Sequence, residues 1–452
     1  MDKRCLMMTR KAFIKTVAAG MAVSGLPGII SAQQAPSANV TGANSKLRIA
    51  GIGIGGMGKN NIGSIDFEKS VISALCDVDP VYSKGVREKY PDARFYTDYR
   101  ELLAQEKDLD GVMIATPDHT HAVIAAAAMK AGKHVFVQKP LCHDIYECRE
   151  LMRIAKEKNV VTQMGIQGHL QGGHYLVREW VSAGAIGKLK SIDAWCEASY
   201  YPWGHIWWSP STGVKPKDKM PMPQGLDWEN FIGPAEMRDY HRAYHPGCWR
   251  AWWDFGNGMM GDRGAHTLDV VFELLGRRMP VSIDATSCGG NSDTHPLSAV
   301  ITFKFLNPDM TVNWYEGTRP PRPEGLEDGR KLPVEGGIVL HGTEGEIIAG
   351  IYTDSPRLIP EERMKSFVRP PKTIPRPDGG NIERNWLNAI RNGGKAAAEF
   401  DYSARLTELT LLGNVAKRAD TRIHWDEAAM KVTNIESANQ YIKGFRRNGW
   451  EL

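Results

Sequence analysis

Between Leu47 and about Gly165, short β-branched runs alternate with stretches of helical periodicity, a pattern that few folds accommodate. "LRIAGIGI", "VISALCD", "GVMIAT", "HVFVQ" and "VVTQMG" have the length and composition of strands buried on both faces. "DYRELLAQEK", "HAVIAAAAMKAG" and "DIYECRELMRIAKEKN" lie between them with helical spacing. Strand–helix–strand repeats of this size predict an α/β fold built on a doubly wound parallel sheet.

The first strand runs into Gly53, Gly55 and Gly58, a G-x-G-x-x-G. With 46 glycines in the chain a chance match is easy, so the context carries the argument. The glycines follow a strand and open a helix, which lets the backbone approach a pyrophosphate at the helix amino terminus; Met57 lies inside this turn. Asp77 ends the second strand nineteen residues after Gly58, where a carboxylate binds the adenosine ribose hydroxyls. The same carboxylate repels a 2′-phosphate, which favours NAD over NADP. "ATPDHTHA" leaves its strand at the carboxyl end, where such sheets bind ligands. Thr116 and Pro117 are therefore expected on the nicotinamide side. His119 and His121 are assigned to the cofactor site as well; an H-x-H in a loop is too little for a metal pair, and local polar or capping roles compete. "VQKPL" brings Lys139 to the same edge of the sheet, its direction constrained by the proline that follows.

At 452 residues the chain is too long for one ordinary core, so two domains are expected. The net charge of +4 is accounted for by residues 1–32, where Lys3, Arg4, Arg10, Lys11 and Lys15 stand against Asp2. About zero remains for residues 33–452, and nothing argues for nucleic acid or an anionic membrane surface as a partner. Residues 1–32 have the form of an export signal: a basic start, then "TVAAGMAVSGLPGII", short of the roughly 20 apolar residues of a membrane span. "TRKAFIK" resembles the twin-arginine motif with Lys11 at the second arginine; a general secretory signal would look similar, and by either route a periplasmic location is expected. The expected organisation is a signal over 1–32, a polar linker over 33–46, a dinucleotide domain over 47–165 and a second domain over 166–452. The seven cysteines form no C-x-x-C and no zinc spacing, so buried free thiols are expected, with disulfides left open. His241 and His245 are four apart, but "HPG" interrupts the helix a metal pair would need, and no metal is assigned.

A second cluster of chemistry lies in "GMMGDRGAHTLD", residues 258–269. Asp262, His266 and Asp269, spaced by four and three, are expected on one helical face. Seven of the thirteen tryptophans fall between Tyr200 and Phe255: Trp203, Trp207, Trp208, Trp228, Trp249, Trp252 and Trp253. Aromatic faces pack against the C–H faces of sugars, and about half of these rings are expected to do so, the rest forming core.

"GIGGMG", "CDVDP", "DYRELL", "GVMIATPDHTHA", "GKHVFVQKPL", "GAIGKL" and "GDRGAHTLD", in this order, resemble the Gfo/Idh/MocA oxidoreductases, the relatives of glucose–fructose oxidoreductase and inositol dehydrogenase. The resemblance runs from about Leu47 to the end and is strongest through residue 145 and over 249–269; Gln138 stands where the family has an acidic residue. It implies a Rossmann domain followed by an α/β domain with a large, mostly antiparallel open-faced sheet, and association through that sheet into a homodimer or homotetramer. "KLKSIDAWCEAS", "VSIDATSC", "SAVITFKFL", "MTVNWYEG" and "GGIVLHGTEGEIIAG" are its expected strands, with helices over "NIERNWLNAIRNGG" and "SARLTELTLLGNVAKRA". The resemblance also implies that Lys139, Asp262 and His266 form the catalytic set and meet the substrate, with Trp249 and Arg250 beside them; Asp269 is expected to be structural. Oxidising a sugar hydroxyl needs a group to take its proton, such as a histidine, and a cation to stabilise charge on oxygen, such as a lysine. The expected activity is NAD-dependent oxidation of a sugar, glycoside or polyol. Two alternatives stand beside it. One is a redox-neutral NAD-dependent glycosidase, which needs a further base such as Tyr200, Tyr201 or Tyr244. The other is a silent NAD-binding sensor, against which the intact catalytic set argues.

Overall fold

The computed structural model describes residues 45–65, 69–201, 205 and 208–452; the expected signal, most of the linker, Trp203 and Trp207 lie outside them. The first sheet is entirely parallel and runs in the order β3-β2-β1-β4-β5-β6. Its elements are β1 (Leu47–Ile52), α1 (Met57–Gly63), β2 (Ser70–Cys76), α2 (Lys84–Lys89), β3 (Arg94–Tyr96) and α3 (Tyr99–Gln105), then β4 (Gly111–Ile114), α4 (Asp118–Lys130), β5 (His134–Gln138), α5 (Ile145–Lys158) and β6 (Thr162–Gly165). Strands β4, β5 and β6 are buried at every position, because helices cover both faces of the sheet. Asp98 caps α3 through the Arg100 N–H, and Asp144 and Glu147 close a reciprocal capping box on α5. One expectation is corrected here: α4 already begins at Asp118, so His119 and His121 sit in its first turn and not in a loop.

The second sheet has nine strands and holds the expected mixture, antiparallel throughout except where β7 (Leu189–Cys196) lies parallel to β10 (Met310–Glu316). Its other strands are β8 (Ser282–Cys288), β9 (Ser298–Phe305), β11 (Gly337–Gly342), β12 (Glu346–Gly350), β13 (Arg357–Ile359), β14 (Ile423–Asp426) and β15 (Lys431–Val432). Along β10, Met310, Val312, Trp314 and Glu316 are buried while the residues between them are partly exposed, the alternation of a sheet with one covered face. Helices α6 (Gly172–Ser182), α7 (Trp228–Ile232), α8 (Ala265–Leu274), α9 (Glu361–Ser366), α10 (Ile382–Asn392) and α11 (Phe400–Ala419) complete the chain.

The partly exposed face carries a polar row across five strands. Thr302 donates to Asn313 (2.9 Å), Asn313 to Asp193 (2.9 Å), and His341 lies between Asp193 (3.0 Å) and Glu346 (2.5 Å). Against the cost of burial, these two carboxylates raise the His341 imidazole to about 9, so it is charged at neutral pH.

Helix α11 joins the two sheets. Its Glu408 takes a two-point bond from Arg149 on α5 (2.7 Å each), and its Lys417 meets Glu316 at the end of β10, both side chains fully enclosed. The two sheets accordingly belong to one compact unit. Among the described residues no helix is long and apolar enough to cross a membrane.

Candidate active site

A cavity of about 900 Å³ runs from the glycine turn after β1 to the turn that leads into α8. At one end, Gly53 has φ +76°, and a Cβ there would lie 2.6 Å from the Thr116 nitrogen, so only glycine fits. A Cβ on Gly58 would meet the Gly53 carbonyl oxygen at 2.0 Å; its glycine lets α1 close on β1, and it acts by packing, not as part of the cavity wall. Gly55 and Met57 do line the cavity, with the Tyr82 ring laid against Gly55. Asp77 accepts hydrogen bonds from the N–H groups of Ile54 (2.8 Å), Gly55 (3.0 Å) and Asp79 (2.9 Å). It therefore fixes the glycine turn as well as facing the cavity. Burial raises its carboxyl to about 6, and the three N–H groups limit the rise. A turn with no room for a Cβ at positions 53 and 55, ending beside an enclosed carboxylate, fits a dinucleotide with free ribose hydroxyls.

Thr116 and Pro117 line the cavity as expected, but His119 and His121 do not. Both imidazoles are buried and turned toward backbone carbonyl oxygens. His119 reaches those of Phe231 (2.9 Å) and Phe255 (3.2 Å); His121 reaches those of Thr116 and Pro140 (2.8 Å each). They are braces: each neutral ring donates to one of its two carbonyl oxygens, and His121 sits between the segment after β4 and the turn that carries Lys139. Burial pushes their imidazoles down to about 3 and about 4.

At the other end, Lys139, Asp262 and His266 come together from β5 and from the start of α8. The Lys139 ammonium pairs with the Asp262 carboxylate and also donates to its carbonyl oxygen at 3.1 Å. Burial alone would raise the Asp262 carboxyl, but Lys139, then Arg250 and Arg263, hold it well below the usual carboxylate range. The Tyr200 hydroxyl donates to the other Asp262 oxygen from behind the cavity wall. His266 is pushed down to about 3 by burial and then by the charge of Lys139, so it is neutral; its buried Nδ1 has no partner among the described residues.

The expected common face for Asp262, His266 and Asp269 needs correction. Met260–Gly264 is a π-helical turn that holds Asp262, while His266 and Asp269 both stand in the regular helix α8, where a spacing of three leaves their directions about 60° apart. Asp262 and His266 face the cavity, while Asp269 turns into the interior. There its carboxylate takes bonds from His169 (3.1 Å) and the Tyr402 hydroxyl, with His174 at 3.4 Å. Asp269, His169 and His174 offer ligand atoms within 4.8 Å of one another, but all three are buried, none lines the cavity, and with Tyr402 they form a hydrogen-bonded knot.

Of the described tryptophans in the Trp-rich stretch, Trp208 and Trp249 line the cavity, with the Arg250 guanidinium 4.5 Å and 4.2 Å from their ring centres. Trp228, Trp252 and Trp253 are core, each with its indole N–H bonded to a carbonyl oxygen. His241 and His245 point to different partners, Asp218 and Asp79. Cys76, Cys142, Cys148 and Cys196 are buried free thiols.

Several cavity residues were not assigned a role from the sequence. Asp118 accepts from the Asn257 N–H (3.0 Å), and burial raises its carboxyl to about 7. Tyr352 sets its ring edge against His266 (centres 4.7 Å apart) and takes a bond from Arg263 (2.7 Å) on its hydroxyl. None of Tyr200, Tyr201 and Tyr244 lines the cavity: Tyr200 reaches Asp262 from behind its wall, and Tyr352 is the tyrosine that lines the cavity beside His266. Gln138 bonds Asn61 (2.9 Å), which bonds Glu383 of α10 (2.7 Å); the carboxylate absent at 138 thus enters the cavity wall from a distant helix.

The chain shares this architecture with known proteins. A family model described as an oxidoreductase family with an NAD-binding Rossmann fold matches residues 47–166. Its companion, the C-terminal alpha/beta domain of the oxidoreductase family, matches residues 176–452. Inositol 2-dehydrogenase of Salmonella paratyphi B is 29% identical over 147 residues, 31% of this chain and 43% of that protein. A glycosyl hydrolase family 109 protein of Shewanella amazonensis is 33% identical over 168 residues, 32% of this chain and 36% of that protein. The chain thus spans less than half the length of the curated relatives it matches. The crystal structure of the WlbA dehydrogenase from Bordetella pertussis, in complex with NADH and UDP-GlcNAcA, superposes with a TM-score of 0.61 at 18% identity, over 84% of this chain and 99% of that one. With both of its halves matched in order, the chain belongs to the Gfo/Idh/MocA oxidoreductase family and carries that family's NAD-binding Rossmann fold.

Proposed function

We propose that the protein is an NAD-dependent oxidoreductase acting on a hydroxyl of a sugar, glycoside or polyol. The observation that carries this reading is the meeting of the Lys139–Asp262 ion pair and a neutral His266 in the cavity that begins at the glycine turn. A bound nicotinamide supplies the acceptor for the hydrogen and electron pair that leave the substrate carbon. His266, kept neutral by burial, is free to accept the hydroxyl proton. Lys139 donates a hydrogen bond to the substrate oxygen and stabilises its developing negative charge, while Asp262, held by Tyr200, keeps the ammonium aimed. Trp208, Trp249 and Arg250 form the wall against which a sugar ring packs. Asp77 favours NAD over NADP, because a 2′-phosphate would meet its carboxylate.

One observation supports a second reading, a redox-neutral glycosidase. Tyr352 lines the cavity with its ring against His266 and its hydroxyl on Arg263, which makes it the candidate for the additional base of an oxidation–elimination cycle, and the chain resembles a relative named for glycoside hydrolysis. Both readings use the same catalytic set. Lys139→Ala and His266→Ala should keep NAD affinity within a few-fold while turnover falls by about 10²–10⁴-fold. Full turnover in either variant, measured with wild-type NAD binding, would remove that residue from the mechanism.

A further inference from the structure

Far from the catalytic set, the same cavity is lined by Trp450, a residue from the other end of the chain. Its neighbours in the wall are Thr97 and Tyr99, which follow β3, with Asp77 at the end of the adjacent strand β2 and Asn230 from α7. Because Asp77 marks the ribose of the adenosine half, this is where the adenine ring would lie. Trp450 is nearly enclosed, its ring centre 6.3 Å from that of Tyr99 and 4.0 Å from the Arg100 guanidinium. Arg100 in turn donates to Asn230 at 3.1 Å.

The segment that carries Trp450 is anchored on both sides of the cleft. Arg446 is paired with Asp144 (2.7 Å) and Glu147 (3.0 Å), the capping box of α5. Arg447 donates from its side chain to the Gly233 carbonyl oxygen (2.9 Å) and from its backbone to that of Pro234 (3.0 Å). Two adjacent arginines therefore pin the chain, one on the Rossmann half and one on the turn after α7, three residues before an aromatic ring that lines the cavity.

We infer that Trp450 is a cofactor-binding residue: with Tyr99, whose ring is tilted 50° to its own, it forms an aromatic corner of the cavity against which the adenine ring of the dinucleotide packs. The inference rests on the NAD-binding reading and adds to it a contact made by a segment outside the Rossmann fold. Base–aromatic stacking is sequence-tolerant and strong enough to show in affinity.

The test is calorimetric titration of the full chain with NAD, AMP and nicotinamide mononucleotide. Trp450→Ala and Trp450→Leu should weaken NAD and AMP alike by roughly 5- to 100-fold and leave the mononucleotide unchanged. Trp450→Phe should recover most of the loss, and Trp450→Leu, which keeps apolar bulk without a flat ring, guards against a simple packing defect. Unchanged AMP affinity in Trp450→Leu, or equal weakening of both half-ligands, would overturn the inference while leaving the cofactor reading intact. Failure of the wild-type chain to bind NAD or AMP at all would overturn both.

Discussion

At Asp118, burial outweighs every group that favours the charge: the Asn257 N–H, Arg250 and Lys139 all lower its pKa, and it still stands at about 7. A carboxyl raised above its ordinary 3.8 stabilises the fold fully only below that value. The contribution is then lost as pH climbs to about 7, because ionisation is harder in the folded state than in the unfolded one. Asp118→Asn keeps an oxygen for the Asn257 N–H and removes the ionisation. The variant should therefore melt a few degrees above wild type at pH 8 and show no advantage at pH 4, which thermal unfolding across that range would check. An advantage independent of pH would mean that ionisation of Asp118 is not the cause. This residue was visible in "ATPDHTHA" but passed over for the two histidines beside it, whose ring nitrogens turn out to brace backbone carbonyls. Tyr352, Glu383 and Trp450 were illegible for a different reason: each enters the cavity from a distant segment whose local pattern says nothing about a ligand.

Among the elements, the β1–α1 turn makes the sharpest structural demand. The 2.0 Å approach of a Cβ at 58 to the Gly53 carbonyl oxygen is backbone against side-chain root, and no rotamer relieves it. At Gly56 a Cβ would find only the Tyr82 hydroxyl, at 3.9 Å. Gly58→Ala should therefore lower the stability of the NAD-free chain by about 1–3 kcal/mol, while Gly56→Ala leaves it near wild type, as denaturant unfolding would report. Equal effects at the two positions would contradict the packing role. The buried strands of this half were readable from their β-branched, apolar runs even where they are four residues long, as in β4 and β6, whereas β3, β13, β14 and β15, two to four residues each, are interrupted by charged side chains and offer too little pattern. The π-turn at Met260–Gly264 eluded a 3.6-residue reading outright. The reading put Asp262, His266 and Asp269 on one face; the first two line the cavity, while Asp269, about 60° round α8 from His266, points inward to His169 and Tyr402.

At the scale of the whole molecule, the site exists only because two sheets are held in one unit. Lys139 hangs from the parallel sheet, Asp262 and His266 from a helix of the second half, and α11 fastens the two through the Arg149–Glu408 and Lys417–Glu316 pairs. The central claim is that this assembly passes hydrogen from a carbohydrate carbon to NAD. The most direct measurement is rapid mixing of the NAD-loaded wild-type chain with a panel of sugars, glycosides and polyols, following the near-ultraviolet absorbance of reduced nicotinamide through the first turnover. The account predicts a rise with at least one compound, lasting for a dehydrogenase and transient with aglycone release for a redox-neutral glycosidase, and its loss in His266→Ala. Conversion of a carbohydrate with no rise at any time, or silence across the panel from a chain that binds NAD, would contradict it.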